Sequence, residues 1–270
     1  MVVQHNMSAL NANRQLGVTV GTLSKSTEKL SSGYRVNRAA DDAAGLSISE
    51  KMRSQIKGLN KASSNAQDGI SLVQTAEGAL NEAHSILQRM NELATQAAND
   101  TNTKVDRGAI QKEIDALGSE LNRIASTTQF NTMNLLDGEF ANKNLQVGSL
   151  ENQLIGITIA TMSGDALSVT ALEVSTFTKS GSAMTKIQTA IDTISTQRSA
   201  LGAVQNRLEH TVKNLDNVAE NTQAAESRIR DTDMAAEMVQ YSATNIIQQA
   251  GQSMLSQANS QTQGVLSLLQ

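Results

Sequence analysis

The chain has 270 residues, enough for one elongated domain or two modest globular ones, but no proline, no tryptophan and only 2% aromatic residues, which excludes a compact core built on large rings. Absence of cysteine rules out disulfides and thiolate metal sites, and a net charge of −4 argues against nucleic acid as a partner. What remains is apolar content in Ala, Leu, Ile, Val and ten Met beside plentiful Gln, Glu and Lys, the composition of long packed helices.

The N-terminal stretch MVVQHNMSALNANRQL has no basic segment followed by an apolar run, so no cleavable signal is legible. No stretch reaches the roughly 18 apolar residues of a membrane span, which predicts no membrane insertion. Taken alone, these features point to a cytosolic protein. Up to Ser24 the titratable side chains are His5 and Arg14. Leu16, Val20, Leu23, Thr27 and Leu30 nevertheless repeat at helical spacing.

The strongest periodicity follows. Steps of four and three from Ile48 reach Leu59, Val73, Leu80, Leu87, Met90 and Ala97, and only Gln55 and Gly69 interrupt the apolar seam. Seven heptads without a phase shift predict a coiled-coil-like helix of roughly 75 Å at 1.5 Å per residue. Its Ala positions allow close approach by a partner helix, which the seam requires. Two partners are legible. One carries Ile110, Ile114, Leu117, Leu121 and Ile124, after the polar turn 99–108; the other runs from Met184 through Ile194, Leu201 and Leu208 to Ala219.

Between them, residues 130–180 change character. NLLDGEF holds an Asp-Gly turn, and Ile155, Ile157 and Ile159 alternate with Gly156 and Thr158 at the period of a half-exposed strand. One or two β-hairpins are expected there. The chain ends as it began, almost without charge. From Met238 to Gln270 no residue is charged and about half are Gln, Asn, Ser or Thr, yet Ile247, Gly251, Met254, Ala258, Gln261, Val265 and Leu268 keep a helical stripe. Such ends are too polar for lipid and too poor in charge for a solvated surface; they suit a crowded protein–protein interior. In an isolated chain little burial would offset their ordering entropy.

Several long segments resemble bacterial flagellins in order: LSSGYRVNRAADDAAGLSISEKMRSQIKGL (30–59), NAQDGISLVQTAEGALNEAHSILQRMNELATQAAND (65–100), TQFNTMNLLDG (128–138) and LGAVQNRLEHTVKNLDNVAENTQAAESRIRDTDMAAEMV (201–239). The likeness covers about 1–140 and 183–270. It implies a mainly α fold, an elongated coiled-coil-like helical rod with paired terminal helices and a small β-hairpin region. Residues 1–33 and 230–270 would form the inner-tube coil, with Leu16, Val20, Leu23, Leu30, Ile247, Met254, Ala258, Val265 and Leu268 as its polymerising positions. Residues 34–229 would form the rod, with 139–182 as a short outward-facing region lacking large outer domains.

The resemblance further implies a structural subunit of the flagellar filament, a helical homopolymer. It implies secretion through the flagellar type III apparatus, which reverses the cytosolic expectation, and dealings with an export chaperone, a cap and hook-associated junction proteins. In flagellins detected by Toll-like receptor 5, an Arg and a Leu one turn apart and a Glu on the next helix contact the receptor; Arg89, Leu93 and Glu113 match them. Periodicity alone reads Arg89 and its neighbours as a solvated helix face. Catalysis and cofactors are not expected. Asp41 and Asp42 beside Arg38 are adjacent on the chain and have no acid–base partner in view. His5, His84 and His210 lack metal-ligand spacing. The competing readings are a hook–filament junction protein and a monomeric helical adhesin or immune ligand.

Overall fold

The computed structural model describes residues 6–268 and, within them, every side chain outside 262–263 and 265–268. Helices α1 (Met7–Ser32), α2 (Ala43–Ala97) and α3 (Lys104–Thr127) precede strands β1 (Gln129–Phe130), β2 (Met133–Asn134), β3 (Lys143–Gln146) and β4 (Leu154–Ile157), and helices α4 (Phe177–Arg230) and α5 (Met234–Leu268) follow. The fold is mainly α, with paired terminal helices and two small antiparallel hairpins. The chain divides into two compact units: Met1–Ser54 with Asn221–Gln270, and Gln55–Glu220.

In the second unit, the seam of α2 is buried at every position from Leu59 to Ala97. Ile110, Ile114 and Leu121 of α3 and Ile187, Ile194 and Leu201 of α4 belong to the same apolar cluster as Leu80, Leu87 and Met90. Helices α2 and α4 run antiparallel: Leu59 and Ala62 cluster with Leu215 and Ala219, the Ser63 hydroxyl donates to Asp216 at 2.9 Å, and Arg198 pairs with Glu77 at 3.7 Å. A capping box starts α3: Thr103 and Asp106 satisfy each other's backbone N–H groups, and this closes the predicted polar turn.

The hairpins complete this core. Asn131 and Thr132 both have positive φ (48° and 64°), as a two-residue type I′ turn between β1 and β2 requires. In β4, Ile155 and Ile157 are buried while Leu154 and Gly156 are exposed, the alternation expected of this segment. The break in the α2 seam at Gly69 also has a physical cause. A Cβ there would lie 2.2 Å from a methyl group of Leu145 on β3, so the missing side chain is the space the hairpin uses. At Gly58 the restriction comes from main chain, since a Cβ would meet Ser149 Cβ at 2.8 Å and its Cα at 3.3 Å.

In the first unit, α1 and α5 are antiparallel. Asn6, which also caps α1 by accepting from the Ala9 N–H, donates to the Ala258 carbonyl at 2.8 Å, and Lys29 pairs with Glu237 at 3.6 Å. No other two helices bring their backbones together so extensively. Small and polar residues permit it. The less exposed face of α1 carries Ala9, Ala12, Leu16, Thr19, Leu23, Ser26 and Leu30, and that of α5 carries Tyr241, Thr244, Gln248, Gly251, Leu255 and Ala258. Leu16 has a methyl 3.3 Å from where a Gly251 Cβ would stand. The face of the intrachain contact runs one residue off part of the apolar stripe. Thr19 and Ser26, rather than Val20 and Thr27, lie on the facing side of α1; Gln248 and Leu255, rather than Ile247 and Met254, do so on α5. Near the start of α2 the seam shifts likewise: Ile48 is exposed and Ser49 buried.

These glycines give a test with opposite signs. Gly78 in α2 has open space around a new Cβ, so Gly78→Ala is expected to stabilise by about 0.5–1 kcal/mol through helix propensity. Gly58→Ala gains the same propensity but pushes on the Ser149 backbone, for a net loss of about 1–3 kcal/mol. Denaturant unfolding followed by circular dichroism separates them; equal shifts for both would refute the hairpin packing described for Gly58.

Candidate assembly surfaces

The side chains that face away from the α1–α5 contact are unusually apolar. Met7, Leu10 and Val18 on α1 are 70%, 58% and 63% exposed, and Val20 is also open. On α5 the exposed set comprises Met238, Val239, Ile246, Ile247 and Met254. Sequence reading placed Val20, Ile247 and Met254 in the coil but missed Met7, Leu10, Val18, Val239 and Ile246. Their signal was available: large apolar residues off the stripe in segments nearly without charge. Full burial of such side chains contributes about 1.5–3 kcal/mol each, so covering nine already half-buried ones is worth on the order of 10 kcal/mol before ordering costs. Val265 and Leu268 lie outside the described side chains.

The matched receptor residues separate in the structure. The Arg89 guanidinium donates to Glu113 Oε1 through Nε (3.1 Å) and Nη2 (3.0 Å), and to Glu92 through Nη1 at 3.1 Å. The Glu113 carboxylate, then that of Glu92, raises the Arg89 pKa above its ordinary value. All three side chains remain solvent-accessible. Leu93 does not join them. It is 2% exposed and sits in the core cluster with Ile110 and Ile114, because the residue one turn beyond Arg89 rotates toward the seam at Met90 and Ala94, where α3 lies. The expectation of an open Leu93 is corrected.

The carboxylates at 41 and 42 shape the turn into α2. Asp42 accepts from the Gly45 N–H at 2.8 Å and so caps the helix. Asp41 accepts from the backbone N–H of Arg38 at 3.0 Å and of Asn37 at 3.3 Å, while Arg38 makes a two-pronged pair with Glu28 at 2.9 and 3.1 Å. Among the histidines, His84 lies within hydrogen-bond distance of Gln88, His210 is exposed, and His5 is outside the described residues. Among the described residues no group of His, Asp and Glu is arranged to hold a metal ion, and no described helix is long and apolar enough to cross a membrane.

Residues 3–141 match the bacterial flagellin N-terminal helical region, and residues 184–269 match the bacterial flagellin C-terminal helical region. The chain is 53% identical to a flagellin of Halalkalibacterium halodurans over 271 aligned residues, covering all of both chains. The chain belongs to the bacterial flagellin family. The crystal structure of Bacillus cereus flagellin, 31% identical, matches 56% of this chain and 88% of its own with a TM-score of 0.52. A putative flagellar hook-associated protein from Vibrio parahaemolyticus shares the fold alone: 12% identity, TM-score 0.60, 71% of this chain and all of that one.

Membership settles the broad function. This flagellin is a structural subunit that polymerises with itself into the extracellular flagellar filament. The family is structural and not enzymatic, which agrees with the capping and turn-forming roles of Asp41 and Asp42. The junction-protein reading loses its ground, since its likeness is one of fold and the full-length identity is to a flagellin.

Asp41 yields a pH test. The Arg38 backbone N–H is the largest influence holding its carboxyl below the ordinary value; the Asn37 N–H and the charges of Lys25 and Arg38 add to it, against a desolvation that raises it. A depressed folded-state pKa contributes stability above the unfolded value of about 3.9 and loses it as pH falls through the folded value. Asp41→Ala should thus be less stable than the parent at pH 7, with the difference closing in acid below that range. A difference that persists unchanged in strong acid would exclude the carboxylate as its source.

Proposed function

We propose that the open apolar faces of α1 and α5 are the polymerisation surface of this flagellin. On this reading residues 1–33 and 230–270 form the inner coil of the filament, 34–229 surround it as a helical rod, and 139–182 face outward. The observation that carries it is the set of exposed Met, Leu, Val and Ile side chains that the contact between the two helices leaves uncovered. Contacts that do not close into a ring generate an open helical polymer. Export would proceed through the flagellar type III apparatus, with a chaperone shielding the chain, a cap at the growing tip and hook-associated junction proteins at the base. A C-terminal helix with no charge beyond Glu237, whose remaining apolar side chains find burial among neighbours, suits that sequence of partners.

Removing residues 250–270 is expected to abolish filaments in negative-stain microscopy while leaving most of the helicity of 55–220. Ile247→Asp with Met254→Asp, which lie off the intrachain contact, should do the same without shortening the chain. Normal filaments from that double variant would sink the assignment of this face.

The same flagellin is proposed as a ligand for Toll-like receptor 5 through the exposed Arg89–Glu113 pair. Receptor binding here relies on charge and on Arg89, with Leu93 holding the helix from beneath. Arg89→Ala monomer should bind the receptor ectodomain at least about tenfold more weakly, as loss of a charged interface contact implies; unchanged affinity would remove this patch from the interface.

A further inference from the structure

The two connectors of the first unit, 33–42 between α1 and α2 and 231–233 between α4 and α5, meet each other. Tyr34 and Asp231 form an isolated antiparallel bridge: the Arg35 N–H donates to the Arg230 carbonyl at 2.7 Å and the Thr232 N–H to the Gly33 carbonyl at 2.9 Å. The Arg35 guanidinium then reaches the Ile229 carbonyl at 2.7 Å and that of Arg228 at 3.3 Å, which satisfies orphan acceptors at the end of α4. The Tyr34 ring lies under two cations, with the guanidinium of Arg230 4.6 Å and that of Arg53 5.8 Å from its centroid. Arg53 also donates to the Tyr34 hydroxyl at 3.1 Å. Beneath them Arg230 donates to Ser49 at 3.4 Å, and buried Ser49 donates to buried Glu226 at 3.1 Å.

We infer that Tyr34 and Arg230 form a register lock that makes the ordering of the two connectors a single event, so that neither chain end takes its place without the other. Each connector supplies what its partner lacks. The first brings a ring and a guanidinium that ends α4; the second brings the strand edge against which Gly33 and Arg35 bond. A coupling free energy between two segments acts equally in both directions. Loosening either connector must loosen the other by the same factor. This property is internal to one chain and does not rest on the polymerisation surface proposed above.

Hydrogen exchange on the full-length protein tests it, as monomer and as sedimented polymer. Tyr34→Ala, placed in the first connector, should speed exchange by about tenfold in both 33–42 and 229–237, the scale of a desolvated cation–π contact with its hydrogen bond. Arg230→Met, at the end of α4 that leads into the second, should do the same, and the double variant should exceed neither by much, because interacting partners are not additive. Amides of 55–220 serve as the internal standard. Should Tyr34→Ala raise exchange there too, the bulkier Tyr34→Leu takes its place, and an effect that remains global counts against a local lock. An independent readout is tyrosine emission. With no Trp and two Tyr in the chain, a Tyr241→Phe background leaves Tyr34 as the only emitter, and Arg230→Met should change its intensity. Effects confined to the connector that was mutated, additive effects in the double variant, or parent connectors unprotected in both states would each overturn the lock.

Discussion

The long helix α2 carries an apolar stripe that its neighbour in sequence, α3, covers only in part. A helix continuing without proline for 55 residues cannot fold back on itself, so its seam must find a helix from elsewhere. The partner comes from the other end of the chain. Leu59 and Ala62 meet Leu215 and Ala219 in the second unit, and Asn6 and Lys29 reach Ala258 and Glu237 in the first. This pairing of early with late segments governs the rest. It explains why the two parts that match flagellin flank the middle of the sequence, and why the hairpins insert where one half has ended and the other has not begun.

The two pairings are made differently, and the difference bears on function. In the second unit Leu, Ile and Met fill the core between three helices. Such a core is self-sufficient, and hydrophobic burial stabilises it within one chain. The α1–α5 contact mixes Leu16, Leu23, Leu30 and Leu255 with Ala, Gly, Ser and Thr, which permit close approach but bury little apolar area. A second set of large apolar residues on the same helices stays exposed. A monomer built this way holds its ends weakly and exposes an apolar patch of the kind that marks an interaction site. For a subunit known by family to polymerise, weak internal pairing and strong external stickiness are the same design decision seen from two sides.

Much of this was legible from spacing. The seam of α2, the apolar faces of α3 and α4 and the alternation of Ile155 and Ile157 all follow from period, because burial in a packed core leaves a regular trace. Reading failed where burial and apolarity part company. At the chain ends, apolar periodicity marks Val20, Ile247 and Met254, yet within a single chain the close contact takes Thr19, Ser26, Gln248 and Leu255 one position away. Leu93 failed for the opposite reason. Its neighbours Arg89 and Glu92 are solvated, and only the arrival of α3 decides that the leucine after them is core. Gly69 looked like a flaw in a heptad, and nothing short of the β3 position explains it. Tyr34 and Arg230 stand nearly two hundred residues apart, and no local pattern joins them.

That last pair shows how a charge-poor end can still be held in register. A seam that repeats Leu, Ala, Ser and Thr at helical spacing discriminates poorly between alignments, since shifting it by a turn places similar residues opposite each other. The specificity has to come from somewhere with direction and few alternatives. Hydrogen bonds to defined carbonyls have both properties, as does a ring that accepts two guanidinium groups. Placing these at the connectors fixes where α1 begins to meet α5, and leaves the far part of the pair without charged side chains apart from Arg14. The arrangement separates two demands that a single uniform coil could not satisfy together: alignment within the chain, which needs polar specificity, and adhesion between chains, which needs apolar surface.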